Sequence, residues 1–434
     1  MIVILIAAGF SLMGMYWCIR MIIVAHWRKS SKRGLPKKSN TPIFVLIPVL
    51  DEVARITQTT KYFSETFKHL SGLRLIIITT EKEVNIVKNP NTIDVVRELS
   101  EKYPILHVHY PKLDGKMAHQ LNFAMKQLLK NPFAENALFA VYNADSKPHP
   151  KTFDWVLSQQ SKKSTQVFQQ YGDYRKNVMA FSGFSGFILT AASAWQTRWS
   201  IGFEMFNALK QKLFRNKLRA QKGRVLYPLN YCIGHGLFFT KNIFVKLHGF
   251  NEYAHNEDAI FGLELSYLAE PIAPIPYFDL SDTPSTVGSL FIQKSNWFFG
   301  PLQAFSYAAI LQKKYNTNVL RIYALSTKLF SHAINWIVGP SIYASSIILT
   351  VINPNMFNIL AVAAETIIFF AIPNIIAWNI ASYENNIPAK NLLLKQIIGG
   401  PISYILHGLS AYRTIIRIAL RTLFEIQIIK EKTK

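Results

Sequence analysis

The sequence predicts an α/β domain with a Rossmann-like, mostly parallel sheet, carried between one N-terminal and two or three C-terminal transmembrane helices. Three observations predict it. Short β-branched runs alternate with amphipathic helical patterns through the middle of the chain. Long, almost uncharged apolar runs stand near both ends. Half of the 434 residues are hydrophobic, and the mean hydropathy is positive, which is high for a wholly soluble protein.

The first element, "MIVILIAAGFSLMGMYWCIRMIIVA", carries one charge, Arg20. It is long enough to cross a hydrocarbon core of roughly 30 Å, and too long and continuous for a signal-peptide core. Residues 1–27 are read as an anchor and 28–40 as a basic linker. Arg28, Lys29, Lys32, Arg33, Lys37 and Lys38 follow the span, so the positive-inside rule points the N-terminus outward and the next domain into the cytoplasm.

Residues 41–325 form the α/β domain. "PIFVLIPV", "LRLIIITT", "LHVHYP" and "ALFAVYNAD" read as strands, and "NTIDVVRELSEKY" and "GKMAHQLNFAMKQLLKN" as helices between them. Such alternation implies crossover connections and a doubly wound sheet. Residues 326–381 hold two further spans, around 329–352 and 357–381, joined by Asn353-Pro354-Asn355-Met356. Pro373 is expected to kink the second, and Glu365 to face protein rather than lipid. In 390–434, Arg413, Arg417 and Arg421 recur every fourth residue, which suits a helix lying in the head-group interface more than a spanning one, with a basic tail.

The net charge is +23, from 48 Lys and Arg against 25 Asp and Glu. That excess suits an anionic partner: nucleic acid, anionic membrane lipid or a phosphorylated substrate. The basic residues flank membrane segments and no nucleic-acid motif is present, so nucleic acid is not expected. Two cysteines, Cys18 and Cys232, offer neither a disulfide framework nor a zinc spacing.

Five motifs carry candidate chemistry. "IPVLDE" ends the first strand with Pro48, Asp51 and Glu52, placed to accept from a base or ribose hydroxyl; an acidic pair at a helix start also suits the helix dipole. "DGKMAHQLNFAM" sets Lys116 before a helix, a phosphate contact or simply a turn. "VYNADSKPHP" ends a strand on Asn143-Ala144-Asp145, where open α/β sheets bind ligands and a carboxylate can hold a divalent cation. "GHG" (Gly234, His235, Gly236) precedes "NEDAIFG", in which Glu257 and Asp258 open a helix behind Asn256. That acidic pair is a helix-stabilising cap or a general base. "FIQKSNWFFGP" sets Gln293 and Trp297 four apart, to stack a sugar ring or to anchor at the membrane interface.

In this order the motifs resemble the inverting family 2 glycosyltransferases, in the membrane-anchored branch of cellulose, chitin-oligosaccharide and hyaluronan synthases. The resemblance covers residues 41–301, with matching membrane topology outside it. It implies a GT-A fold, a nucleotide-sugar donor, Mg2+ or Mn2+, and a glycan or lipid-linked acceptor. It further implies a multi-pass protein of a bacterial-type inner membrane, whose domain faces the cytoplasm. Asp145 then matches the second acid of D-x-D, Asp258 the base of the "ED" pair, and Gln293 and Trp297 the Q-x-x-R-W acceptor cradle. Three positions depart from the family pattern. Asn143 replaces the first acid of D-x-D. "TTEKE" replaces an acidic pair, leaving Glu81 or Glu83 as nucleotide contacts. Asn296 replaces the Arg that marks processive synthases. Transfer to a membrane-associated hydroxyl is therefore expected. A processive synthase is the alternative, in which the two or three C-terminal spans of one chain are few for a wide channel but a homo-oligomer could build one, and a non-catalytic nucleotide-binding membrane protein is the remote one.

Overall fold

The computed structural model describes residues 1–32, 41–85, 90–162, 165–213, 229, 232–315, 318–388 and 390–424. The expected strands form as β1 (Ile43–Pro48), β2 (Leu73–Thr80), β3 (Ile105–Tyr110) and β4 (Leu138–Val141). Four more complete the sheet: β5 (Lys147–Pro148), β6 (Val167–Asp173), β7 (Leu237–Thr240) and β8 (Ala273–Leu280). Their order is β3-β2-β1-β4-β7-β6-β8-β5. The first four are all parallel, which is the Rossmann-like half. β7 runs antiparallel to both β4 and β6, so the second half is mixed.

The continuous apolar runs follow from burial on both faces of the sheet. Phe44, Leu46, Ile76, Ile78 and Phe139 point to one core with the helices Met117–Leu128 and Glu257–Tyr267. Val45, Ile47, Ile77 and Ala140, their neighbours in sequence, point to the other, against Val53–Thr66, Thr92–Lys102 and Thr152–Lys162. The second helix of this set is capped by Asn91, whose side chain accepts from Asp94 N–H at 3.0 Å.

Three helices among the described residues are long and apolar enough to cross a membrane: Ile2–Ser31, Val319–Ile352 and Met356–Ser382. Phe10 packs on Phe369 (centroids 4.9 Å apart), and Arg28 Nη1 donates to Ile380 O at 3.3 Å, so the first and third run parallel. Met1 and the 353–355 turn therefore share one end of the bundle and the α/β domain the other. Glu365 is buried and accepts from Ser346 Oγ at 3.1 Å, facing protein as its charge requires. Pro373 sits in the first turn after a π-helical stretch, Thr366–Ala371, where its missing N–H costs little. The helix Leu392–Phe424 packs on Gly183–Trp199 and Val319–Ile352 and is not among the three.

The first helix continues through Ser31, four residues past the boundary expected at residue 27. Arg28 at its end is buried: it pairs with Glu384 and donates Nε to Pro276 O at 2.9 Å. Lys32 pairs with the same carboxylate, which also accepts from Phe278 N–H in β8 at 2.9 Å. Two of the six basic residues thus bolt the domain to the helix ends. Arg33, Lys37 and Lys38 lie outside the described residues, as does the tail from residue 425.

Candidate active site

Strand register decides which residues meet. Pro48 pairs with Ile78 and Leu46 with Val141, so β1, β2 and β4 end at one edge. Antiparallel β7 begins there, because Leu237 pairs with Val141, and Asp173 of β6 pairs with Leu280 of β8 at the same edge. The loops carrying Asp51, Asp145 and His235 therefore converge with the end of β8 that carries Asp279.

On the β1 side, Asp51 adopts a left-handed φ of 55° and its N–H donates to the buried Glu83 carboxylate. Glu52 N–H donates to Thr92 Oγ1 at 3.0 Å. Of the two acids left open by the sequence, Glu83 turns toward this loop, whereas Glu81 pairs with His109 Nε2 at 2.8 Å. Pro48 closes β1 beneath them.

The Asn143–Ser146 turn is closed from both sides: Ser146 N–H donates to Asn143 O and Asn143 N–H to Ser146 Oγ, both at 3.2 Å. Ala144 is buried and its carbonyl accepts from Thr59 Oγ1, which leaves Asn143 and Asp145 on the partly exposed side. Among the described residues no group of three or more His, Cys, Asp or Glu gathers to hold a metal. One carboxylate with a neighbouring amide does fit Mg2+ or Mn2+ shared with substrate phosphates, a mode that needs only one or two protein carboxylates.

Gly236 has φ +66°, and a Cβ there would strike the Gln170 backbone oxygen at 2.9 Å, so only glycine lets β7 start here. Gln169 fixes the preceding loop, donating to His235 O at 2.8 Å and accepting from Ile233 N–H at 3.1 Å. His235 Nδ1 lies 2.9 Å from Asp279 Oδ2 and Nε2 lies 3.4 Å from Tyr174 OH. Burial alone would lower the His235 pKa, but Asp279, with Asp145 and Glu204 further off, outweighs it and raises the value. Gly234 brings this loop against the other acid: a Cβ there would sit 3.3 Å from Asp258 Oδ2.

Asp258 opens the helix Glu257–Tyr267, and its Oδ1 accepts from Ala259 N–H at 2.8 Å. Glu257 is buried. Asn256 occupies the N-cap position, yet its side chain makes no capping bond. Lys116 Nζ donates to Tyr253 O at 3.3 Å and Ala254 O at 3.4 Å, which ties it to the loop before Asp258. Asn122 clamps the same loop, accepting from Phe250 N–H and donating to Phe250 O, both at 2.8 Å.

Gln293 and Trp297 share a face of the helix Val287–Leu302 and are partly exposed. Trp297 stands edge-on to Tyr174, 6.4 Å between centroids, which joins it to His235. Sequence reading missed the groups beneath it. Lys294 Nζ lies 4.4 Å from the Trp297 ring centre and donates to Gln196 Oε1. Burial pushes Lys294 down to about 7, with Glu204 opposing, and pushes Glu204 up to about 7. Glu204 sits in a π-helical stretch, Ser200–Met205, which no sequence pattern announced. Lys294, in contrast, stood inside the quoted motif, whereas Asp282 follows β8, whose two prolines hide the strand end from the sequence.

No protein-family model matches this sequence, and no curated protein matches it. Among solved structures, the mannosyltransferase PcManGT from Pyrobaculum calidifontis, in complex with GDP-Man and Mn2+, is 12% identical with a TM-score of 0.47, covering 98% of this chain and 100% of its own. S. aureus TarS 1-349 is 11% identical with a TM-score of 0.36, covering 86% of this chain and 91% of its own. Its complex with UDP-GlcNAc gives 9% and 0.38, covering 87% and 92%. TM-scores this low carry no function to the present chain, whose own residues must supply it.

Proposed function

We propose that this chain is an inverting, membrane-anchored family 2 glycosyltransferase with a GT-A domain. It moves a sugar from a nucleotide-diphosphate donor to a hydroxyl of a membrane-associated glycan or lipid acceptor. The observation that carries the reading is the convergence of Asp145, His235 and Asp258 at one sheet edge, with the Asp258 carboxylate against Gly234. A sheet that is Rossmann-like in its first half and mixed in its second supports the GT-A fold.

In this reading Asp258, with Glu257 behind it, takes the proton from the acceptor hydroxyl as that oxygen attacks the anomeric carbon. The bond to the diphosphate breaks with its electron pair leaving on the diphosphate oxygen, and configuration inverts. Asp145 and Asn143 would hold Mg2+ or Mn2+, which supplies positive charge to the departing diphosphate. Asp51, Glu52 and Glu83 form the nucleoside side. Gln293 and Trp297, with Gly234 to Gly236, form the acceptor side. The three apolar helices and the basic residues near them support attachment to a membrane with anionic lipid and a cytoplasmic domain.

The test is a panel of nucleotide sugars offered to the full chain in native membranes, with released nucleoside diphosphate and the anomeric configuration of the product as readouts. One donor should yield diphosphate and an inverted linkage. Release no greater than that from Asp258→Asn for every donor would overturn the proposal.

A further inference from the structure

Two cations stand at the sheet edge where the Asp51–Glu52 and Asp145 loops end, and neither belongs to a motif visible in the sequence. Lys176 follows β6; its Nζ donates to the Asp145 carbonyl at 2.8 Å and pairs with Asp282 Oδ2 at 3.3 Å. Arg55, in the first turn of Val53–Thr66, pairs with Glu52 Oε2 at 3.3 Å. Partial burial pulls the Arg55 pKa down, but Glu52, Asp145 and Asp282 outweigh it and leave the value above that of an ordinary arginine. Glu52, the partner of Arg55, lies on the loop that leaves β1 at the edge where β4 leads into the Asp145 turn.

Lys176 is presented by a rigid segment. Its neighbour Arg175 is fully buried, donating Nε and Nη2 to the two Asp173 carboxylate oxygens at 2.7 and 2.9 Å. Arg175 Nη1 reaches on to Trp378 O and Ser382 Oγ, both at 2.9 Å. The Lys176 side chain keeps 20% of its surface exposed, enough to meet a ligand without leaving Asp282.

Charge gives these cations a purpose. A diphosphate brings at least two negative charges to a turn already bordered by Glu52, Asp145 and Asp282. Asn143 supplies an amide where a second acid would help bind a metal, so the protein's hold on a divalent ion is limited to one carboxylate there. Positive side chains must then supply part of the compensation. A lysine offers a point charge and an arginine a planar fork, both suited to phosphate oxygens.

We propose that Lys176 and Arg55 receive the phosphates of the nucleotide donor directly, so that the diphosphate is bound by side-chain cations as well as by any metal on Asp145. The inference rests on the transferase reading and deepens it by naming a phosphate site beside the Asp145 turn.

The experiment titrates the purified full chain with UDP, GDP and the matching nucleosides by calorimetry, in EDTA and in Mn2+. The nucleoside diphosphate that binds should keep measurable affinity in EDTA. Lys176→Gln should lose at least about tenfold of that EDTA-resistant affinity, the scale of one hydrogen bond to a charged group, while nucleoside affinity stays unchanged. Lys176→Arg should retain most of it, and Arg55→Gln should weaken binding in the same sense. Asp282→Asn separates a phosphate ligand from a loop brace: freeing the ammonium should leave diphosphate affinity equal or tighter. Lys176→Gln binding within twofold of the parent, or equal weakening by Lys176→Gln and Asp282→Asn, would overturn the phosphate site alone. Absence of any diphosphate binding by the parent chain would overturn the transferase reading together with it.

Discussion

Glu384 ties the α/β domain to the membrane helices, and its removal gives a worked prediction. One buried carboxylate serves Arg28, Lys32 and the Phe278 N–H of β8. Glu384→Ala takes the carboxylate partner from the Arg28 guanidinium, which keeps the Pro276 and Ile380 carbonyls and the Phe278 ring, centred 3.8 Å from it, and leaves a strand N–H without an acceptor. Breaking a buried pair by removing one partner costs about 3–5 kcal/mol. Lys32 adds little, because its side chain is 25% exposed and relaxes into water. Glu384→Gln keeps an acceptor for Phe278 N–H and should cost less, about 1–3 kcal/mol. Burial alone would raise the Glu384 pKa, but Arg28 and Lys32 outweigh it and lower the value. Its stabilisation is therefore present at neutral pH and fades only as pH falls below the usual carboxylate range. The assay is heat-induced loss of the monodisperse peak of detergent-purified protein, with the order parent, Gln, Ala from most to least stable. A melting point for Glu384→Ala equal to that of the parent would refute the buried junction.

Gly234→Ala places a methyl 3.3 Å from Asp258 Oδ2, so the carboxylate must yield a few tenths of an ångström; turnover should fall with the melting point nearly unchanged, measured on the same preparation. Glu204, raised to about 7 by burial, contributes stability below pH 4.5 that is lost as pH rises toward 7. Glu204→Gln should therefore flatten the melting profile between about pH 5 and 7, and an unchanged slope would contradict it. Cysteines at Asn355 and Lys130, both exposed, should divide under impermeant labelling of intact cells, with position 355 labelled and 130 protected; labelling at 130 would reverse the topology.

The elements that the sequence revealed share a physical cause. β1, β2 and β4 are buried on both faces, so Ile43 to Ile47 and Leu75 to Ile78 are apolar without interruption. β6 escaped because Gln169 and Gln170 interrupt its run, although both are fully buried and hydrogen-bonded. β8 contains Pro274 and Pro276, which argue against a strand, and β7 has only four residues. The site divides the same way. Asp145 and Asp258 stand at a strand end and a helix start, where sequence marks the position. Lys176, Asp279 and Glu204 reach the site through cross-strand register and a π-helical turn, which the sequence does not display.

The transfer reading stands or falls on Asp258. Asp258→Asn removes the base but still offers an oxygen to Ala259 N–H, so the helix start should survive. Nucleotide affinity and transfer rate are to be measured side by side on this variant. Affinity near that of the parent with turnover reduced by about 10²–10⁴-fold is the predicted result. A fully active variant would show that the acid only stabilises its helix, and loss of nucleotide binding would move Asp258 to the donor side and contradict the mechanism.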